Sequence, residues 1–403
     1  MLTASATDTP EIAIIGGGIG GTAAAAFLAQ AGVPSTVYEQ ASAIREIGAG
    51  LVVAPNAARL LRRLGVLDSL RERAVQLDVG WEFRRWADGT VLSAENLKTA
   101  CERLYGEHTY SAHRADVLAA VAAAVPDGSI RLGKRCVRVS LDGDRVAVYF
   151  EDGEVIRPDI LIGADGIHSV IRPRIATPSP PTYSGLCAFR ALVPAERAPA
   201  FARRAAQVLW IGPGHHLVHY PVSAGEFVNV VAFAPAANYS VESWSATATL
   251  EEFLSEFDGW DPQLVGLIRA ADTPGRWSLL DRAPLRRWSR GPVTLLGDAA
   301  HPMFPFFAQG AAQSLEDAAL LASCLAADLD DPVRALRDYE ALRIPRTTRL
   351  QEISHARAEV NHLLDGPEQV ARDSGFTAAD PLVAHGWIYE YDPDVALASA
   401  DRP

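Results

Sequence analysis

The chain has 403 residues, of which 49% are hydrophobic and 21% charged, and its formal net charge is -12. This composition is typical of a globular protein with a sizeable core, and the acidic balance disfavours nucleic acid because a phosphate backbone would be repelled. Four dispersed cysteines without a C-x-x-C pair predict no metal site. No apolar run approaches the roughly 18 residues that span a bilayer, so we expect a cytoplasmic protein without membrane contact.

The first elements form a predicted βαβ unit with a glycine-rich turn. An apolar run at residues 11–15 precedes the sequence GGGIGG, an alanine-rich helical stretch follows it, and residues 33–39 have a strand pattern. Gly16, Gly18 and Gly21 satisfy G-x-G-x-x-G, and Glu39 ends the second strand. Such glycines allow close backbone approach, the helix N-terminus stabilises pyrophosphate charge, and the carboxylate can accept the ribose hydroxyls. The pattern predicts dinucleotide binding, with a structural glycine turn as the alternative.

The segments that follow predict a second, sheet-rich domain inserted into the first. Apolar residues at helical spacing are found in residues 56–70 and 114–125, and Asp88-Gly89 marks the turn of a hairpin within residues 79–91. Strand patterns occur at residues 137–156, 159–163, 186–193, 206–211, 216–221, 227–233 and 292–296. Further helices are expected at residues 249–257, 309–327 and 333–364. The proline- and serine-rich residues 177–181 predict the crossing between the domains.

We therefore expect an α/β fold in which a Rossmann-like nucleotide domain carries an inserted substrate domain and C-terminal helices. The nucleotide domain is predicted from residues 1–75, 101–176 and 283–403. The inserted domain is predicted from the hairpin at residues 76–100 and from residues 177–282.

Two further segments resemble motifs of a known family. Residues 161–172 (LIGADGIHSVIR) resemble the DG motif, and residues 295–305 (LLGDAAHPMFP) resemble the GD motif, of the class A flavoprotein aromatic hydroxylases. With the glycine fingerprint, these motifs span most of the chain in the expected order. The resemblance implies that the Rossmann-like domain binds FAD tightly.

The resemblance also implies roles around the cofactor. It assigns Asp298 to the ribityl hydroxyls of FAD and Asp165 to the pyrophosphate region, with a helix cap and a turn aspartate as the alternatives. Backbone N–H groups at the start of the helix after Gln309 would face the electron-rich edge of the flavin. For Arg45 and Arg114 a surface position is the alternative. The other cofactor contacts expected are Gly50, Leu51, Gly310, Ala311 and Ala312.

The reaction implied by the resemblance is a hydroxylation driven by NADH or NADPH and dioxygen. The sequence has no second G-x-G-x-x-G, and in this family the nicotinamide cofactor visits only transiently. The reduced flavin forms a C4a-hydroperoxide whose distal oxygen attacks an electron-rich ring, while the protein positions the substrate and excludes water. We expect a single-component monooxygenase, monomeric or homodimeric, that acts on a small phenolic, benzoate-like or heteroaromatic substrate.

A phenolate is the most electron-rich form of such a ring, and its formation requires a base. His216 and Tyr220 lie at even spacing on one predicted strand, in a segment (GHHLVHYP) that resembles that of salicylate, 3-hydroxybenzoate and 6-hydroxynicotinate hydroxylases. In those enzymes a histidine and a tyrosine at this spacing contact the substrate. We expect His216 to act as the base or to orient the phenol, with a structural strand histidine as the alternative.

The segment after the GD motif contributes further candidates. Pro305 is expected with His216 and Tyr220 among the catalytic residues. Phe306 and Phe307 stand where some relatives carry a histidine, and they are expected either to line an apolar ring pocket or to belong to the core. Gln309 is a candidate polar contact to the substrate.

Other flavoproteins on the same scaffold are the alternatives. A halogenase would carry a Trp-x-Trp-x-Ile-Pro motif and a disulfide reductase would carry paired cysteines, and the sequence has neither pattern. Another reductase, a tailoring monooxygenase of a larger natural product and a noncatalytic flavin-binding redox sensor stay open.

Overall fold

A computed structural model describes residues 10–44, 49–143, 145–177, 181–236, 247–376 and 380–400. Its strands are β1 (Ile12–Ile15), β2 (Thr36–Tyr38), β3 (Gly50–Val53), β4 (Val75–Gln76), β5 (Val79–Arg85), β6 (Val91–Asn96), β7 (Tyr110–His113), β8 (Ile130–Arg131), β9 (Cys136–Asp142), β10 (Arg145–Phe150), β11 (Val155–Ile156), β12 (Ile160–Gly163), β13 (Thr182–Pro194), β14 (Ala206–Gly212), β15 (His215–Val222), β16 (Phe227–Pro235), β17 (Gly275–Asp281), β18 (Ser289–Arg290) and β19 (Val293–Leu295).

The α-helices alternate with the strands in the first half of the chain and dominate its end. They are α1 (Ile19–Gln30), α2 (Pro55–Arg63), α3 (Leu67–Arg71), α4 (Ala100–Tyr105), α5 (Arg114–Ala122), α6 (Arg172–Ile175), α7 (Leu250–Ser255), α8 (Pro262–Arg269), α9 (Gly310–Ala327), α10 (Pro332–Asn361), α11 (Pro367–Gly375), α12 (Pro381–Ala384), α13 (Gly386–Tyr389) and α14 (Pro393–Ala400). Short 3-10 turns at Gly297–Ala299 and Pro305–Phe307 lie between β19 and α9.

One sheet has the strand order β18-β19-β12-β1-β2-β8, and its strands pair in parallel except at the β18 edge. Every residue of β1 and β12 is buried, because a parallel sheet is covered by helices on its faces and its central strands must be apolar on both sides. Helix α1 is alanine-rich and almost fully buried, so its small side chains allow close packing. The carboxyl ends of β1, β12 and β19 meet at one edge, where open α/β sheets bind ligands.

A second sheet has the order β17-β13-β16-β15-β14-β5-β6. The predicted hairpin forms its β5–β6 edge, joined to β14 in parallel. One face packs on α7 and α8 through a core that includes Leu217, Phe253 and Leu267. Because side chains alternate along a strand, His216 and Tyr220 of β15 lie on the face opposite to that of Leu217. That face is turned toward the carboxyl edge of the parallel sheet.

The described elements differ from the predicted ones in a few places. The stretch predicted at residues 56–70 is divided into α2 and α3, because Gly65 has a φ of +76° that ends the first helix. The segment predicted at residues 137–156 contains β11 in addition to the two expected strands. Of the crossing predicted at residues 177–181, residues 178–180 lie outside the described part of the chain. Among the described helices, none is long and apolar enough to cross a membrane.

Candidate active site

A cavity of about 290 Å³ lies between the carboxyl edge of the parallel sheet and the face of the second sheet that carries His216 and Tyr220. Residues from separate parts of the sequence meet in its wall. The predicted site residues among them are Gly50, Leu51, Arg114, His216, Tyr220, Asp298, Pro305, Phe306, Gly310 and Ala311.

The glycine-rich turn after β1 is too crowded for side chains. Gly16 has a φ of +109°, and a Cβ there would lie 2.3 Å from the carbonyl oxygen of Ala164. A Cβ on Gly21 would lie 2.0 Å from the carbonyl oxygen of Gly16. Gly18 immediately precedes α1, so the turn presents bare backbone at a helix N-terminus. This is the form of backbone that accommodates a pyrophosphate.

Glu39 lies directly after β2 and closes this turn from the other side. Its Oε2 accepts a hydrogen bond from the Gly17 N–H at 2.6 Å, and its Oε1 accepts one from the Ala41 N–H at 2.7 Å. The carboxylate is thereby held beside the glycine loop, at the end of the second strand, as ribose recognition requires. Arg45, the neighbouring candidate, lies outside the described residues.

The two aspartates of the DG and GD motifs lie at successive strand ends. Asp165 follows β12; its Oδ2 accepts from the Val170 N–H at 2.7 Å, and within the described residues its buried Oδ1 has no hydrogen-bond partner. Burial raises the pKa of this carboxyl, opposed by hydrogen bonds from Ser169 and Val170. Asp298 follows β19 and is exposed at the cavity. Burial lowers the pKa of Arg114, which also lines the cavity, and the interaction with Asp298 opposes that shift. The unpaired Oδ1 of Asp165 fits the hydroxyl-rich part of FAD, and the bare backbone of the glycine turn fits its phosphates.

The N-terminus of α9 points into the cavity. Gly310 and Ala311 form its first turn and line the wall, while Ala312 is buried behind them. Ala308, just before the helix, has a φ of +52°, a conformation that side chains other than glycine rarely adopt. The chain therefore enters the helix sharply enough to leave its first N–H groups facing the cavity, where they can stabilise negative charge on a flavin.

A buried ionic network holds α9 in this position. Arg343 of α10 is fully buried and donates to Glu316 and Asp317, each at 2.6 Å. His301 pairs with Asp317 at 2.5 Å. Burial would raise the pKa of Asp317, but the interactions with His301 and Arg343 outweigh it and hold the pKa at about 2. The network ties the GD motif to α9 and α10.

Gln309 and Phe307, both predicted to contact the substrate, do not line the cavity. The Oε1 of Gln309 accepts from Asn56 at 3.0 Å, inside the buried network. Phe307 packs against Trp81 and His385, with ring centroids 5.8 and 5.5 Å apart. In the 3-10 turn, Phe306 faces the cavity and Phe307 packs in the core. The pocket position expected for this pair therefore describes Phe306, and the core position describes Phe307.

His216 lies in an aromatic part of the wall. Its ring stacks on Phe233 at 4.4 Å and meets the edge of Phe306 at 5.0 Å. Burial, followed by the nearby His362, lowers its pKa well below the ordinary value. The imidazole is therefore neutral at physiological pH and can accept a proton from a ligand.

Tyr220 links the substrate side of the cavity to the expected flavin side. A Cβ on Gly50 would lie 2.7 Å from the Tyr220 ring, so only a glycine fits between β3 and β15 here. The Gly50 N–H donates to Asn229 Oδ1 at 2.8 Å. Burial raises the pKa of Tyr220, so its hydroxyl stays protonated and available as a hydrogen-bond donor.

Two functional candidates were missed by the sequence analysis. Arg190 of β13 lines the cavity with its guanidinium 3.7 Å from the Trp277 ring centroid. Its position as a cation in the otherwise apolar run AFRALV is a signal that could have identified it. His362, after α10, pairs with His216 at 2.6 Å, and a separation of 146 residues leaves no sequence signal for that contact.

Comparisons with known proteins agree with this geometry. The FAD-binding domain family matches residues 9–354. A 3-amino-4-hydroxybenzoate 2-monooxygenase of Streptomyces platensis is 40% identical over 97% of this chain and 98% of its own length, and a 6-hydroxynicotinate 3-monooxygenase of Pseudomonas fluorescens is 38% identical over 87% and 91%. The crystal structure of Klebsiella pneumoniae HpxO with FAD and uric acid superposes with a TM-score of 0.82, at 29% identity and with 98% of each chain covered.

Proposed function

This chain belongs to the FAD-binding domain family and is an FAD-dependent monooxygenase of small aromatic compounds, and we propose that its substrate is a phenol that also carries a carboxylate. NAD(P)H is the reductant typical of such monooxygenases. The observation that carries the proposal is the meeting of His216, Tyr220 and Arg190 in one cavity beside the expected flavin edge. The compartment and the choice between monomer and homodimer stay predictions.

The three side chains suit two different groups of such a substrate, the hydroxyl and the carboxylate. His216 and Tyr220 share a face of β15 and suit a phenolic hydroxyl, as proton acceptor and hydrogen-bond donor. Arg190 suits the carboxylate, because a guanidinium binds a carboxylate through parallel hydrogen bonds. Phe233 and Phe306 flank His216 at the cavity wall, and such aromatic faces suit a flat substrate ring.

The chain's other residues hold the cofactor and keep water out. The glycine turn and Glu39 would hold the adenosine diphosphate part of FAD, Asp165 and Asp298 its polar linker, and the α9 N-terminus its ring edge. When bound, FAD supplies the reduction and oxygen-activation chemistry. Phe233 and Phe306 cover the ring position beside His216 and exclude water from it. His216 takes the phenolic proton, which makes the ring more electron-rich.

We further propose that residues 76–100 and 177–282 form the substrate domain and the remaining residues the FAD-binding domain. The support is that β5, β6 and β13 to β17 share one sheet.

Relatives that cover nearly the whole chain favour one substrate class within the proposal. The 3-amino-4-hydroxybenzoate ring combines a phenol, a carboxylate and an activating amine, and the relative named for it covers nearly the whole chain. We propose an aminohydroxybenzoate as the first compound to test, with 6-hydroxynicotinate as the second.

NAD(P)H oxidation by the FAD-loaded protein tests the proposal. The panel contains 3-amino-4-hydroxybenzoate, 6-hydroxynicotinate, salicylate and 2-aminophenol, which lacks the carboxylate, and each product is identified by mass. We expect a carboxylated phenol to stimulate NAD(P)H oxidation and to gain one oxygen atom, and 2-aminophenol to show a much higher KM. Equal kcat/KM values with and without the carboxylate would contradict the proposal.

A further inference from the structure

A second histidine contacts the predicted base from behind the cavity wall. His216 Nδ1 lies 2.6 Å from His362 Nε2, and the two ring centroids are 4.8 Å apart. At this distance one nitrogen donates a hydrogen bond and the other accepts it. The contact occupies Nδ1 of His216 and leaves Nε2 as the nitrogen for the substrate.

The main chain of His362 is fixed where α10 ends. Its N–H donates to the carbonyl of Ala358 at 3.2 Å, and its carbonyl accepts from the Gly214 N–H at 3.0 Å. Gly214 lies in the turn between β14 and β15, two residues before His216. The helix end and the substrate strand are therefore joined at this point, and the ring contact is supported by a backbone contact.

The surroundings favour a proton on His362 over one on His216. His216 is 2% exposed, whereas His362 is half-buried and lies at a helix C-terminus, whose carbonyls stabilise positive charge. Burial lowers the pKa of His362 to about 4, and it lowers the pKa of His216 well below its ordinary value. The charged and titratable groups nearby are Arg357 on α10, which acts on His216, and His215, which lies near both rings and is hydrogen-bonded to Glu256 at 3.0 Å. His362 is therefore the better placed of the two rings to carry a transient positive charge.

We propose that His362 positions His216 and relays its proton, by holding the His216 tautomer with hydrogen on Nδ1 and accepting that proton when Nε2 receives one from the phenol. The phenolic O–H bond breaks and an N–H bond forms at His216 Nε2. The Nδ1–H bond of His216 breaks, one forms at His362 Nε2, and His362 releases its Nδ1 proton to water. No electrons are transferred, and the reverse sequence protonates the product. The proposal rests on the proposed phenolic substrate.

Ligand ionisation measures this role without turnover. 4-Hydroxybenzoate is bound to the full-length, oxidised FAD-loaded protein, and its phenolate is followed by ultraviolet difference absorbance from neutral to alkaline pH. In the wild-type protein the bound phenol should ionise at lower pH than the free one. His362→Ala should move the transition back toward that of the free ligand. His362→Gln keeps an acceptor for His216 Nδ1 but cannot relay, so it should keep the titration and lower kcat about 100-fold, at the lower end of general-base effects.

His108→Gln is the matched control, because this half-buried histidine contacts Glu102 at 3.6 Å and does not line the cavity. Flavin content and thermal unfolding confirm that each variant is folded. An unchanged titration in His362→Ala, or an unchanged kcat in His362→Gln, overturns the proposal. If the wild-type protein ionises the phenol but hydroxylates no aromatic compound, the proposed function fails while the histidine pair stands.

Discussion

Replacement of Arg190 by methionine tests carboxylate recognition. The guanidinium stacks 3.7 Å from the Trp277 centroid at the cavity wall, and methionine keeps an unbranched chain there but removes the charge. Hydrogen bonds to charged groups contribute about 1.5–3 kcal/mol, and about 1.4 kcal/mol corresponds to a tenfold change in Kd. We expect Arg190→Met to raise the Kd of a carboxylated phenol by roughly 10- to 150-fold, with FAD binding retained.

The assay is a titration of the flavin absorbance with 3-amino-4-hydroxybenzoate and, in parallel, with 2-aminophenol. The Kd of 2-aminophenol should be the same in the variant and the wild-type protein, because it has no carboxylate to lose. Arg276→Met is the matched control: this arginine lies on the adjacent β17, with its guanidinium 5.6 Å from the Phe189 ring, and it does not line the cavity. Equal losses for both ligands, or the same loss in Arg276→Met, would refute the role of Arg190 as counter-charge.

Three further predictions concern the base, the cofactor and stability. His216→Ala should lower the rate of product formation about 100-fold or more while flavin content is unchanged, and product analysis showing wild-type rates would reject it as the base. Asp298→Ala should be purified with little FAD, as measured by flavin absorbance, and full flavin content would remove this residue from the cofactor site. Glu95 is 3% exposed, and burial, followed by Asp380, raises its pKa to about 8. Between about pH 4.5 and 8 the unfolded chain loses this proton while the folded protein keeps it, so the wild-type protein should lose stability with rising pH relative to Glu95→Gln. Thermal unfolding across this range checks the difference, and parallel curves would contradict it.

Features that depend on neighbouring residues could be predicted well. The glycine turn needs bare backbone between a strand and a helix, and both elements are encoded within residues 11–39. His216 and Tyr220 could be assigned to one face because strand side chains alternate. In contrast, Phe306 and Phe307 are adjacent, and the sequence contains nothing that decides which of them faces the cavity. The 3-10 turn made that choice by directing Phe306 toward the cavity and Phe307 into the core around Trp81.

The sequence by itself indicated a dinucleotide, because phosphate and ribose recognition use short motifs whose spacing follows from local backbone geometry, and the resemblance of the DG and GD motifs identified that dinucleotide as FAD. Only the tertiary structure decided which distant groups complete the site. Arg190 lines the same cavity as Tyr220 because β13, β16 and β15 are neighbours in one sheet. His362 contacts His216 because α10 ends at the β14–β15 turn. Such contacts between remote segments arise from packing, and no spacing along the chain records them.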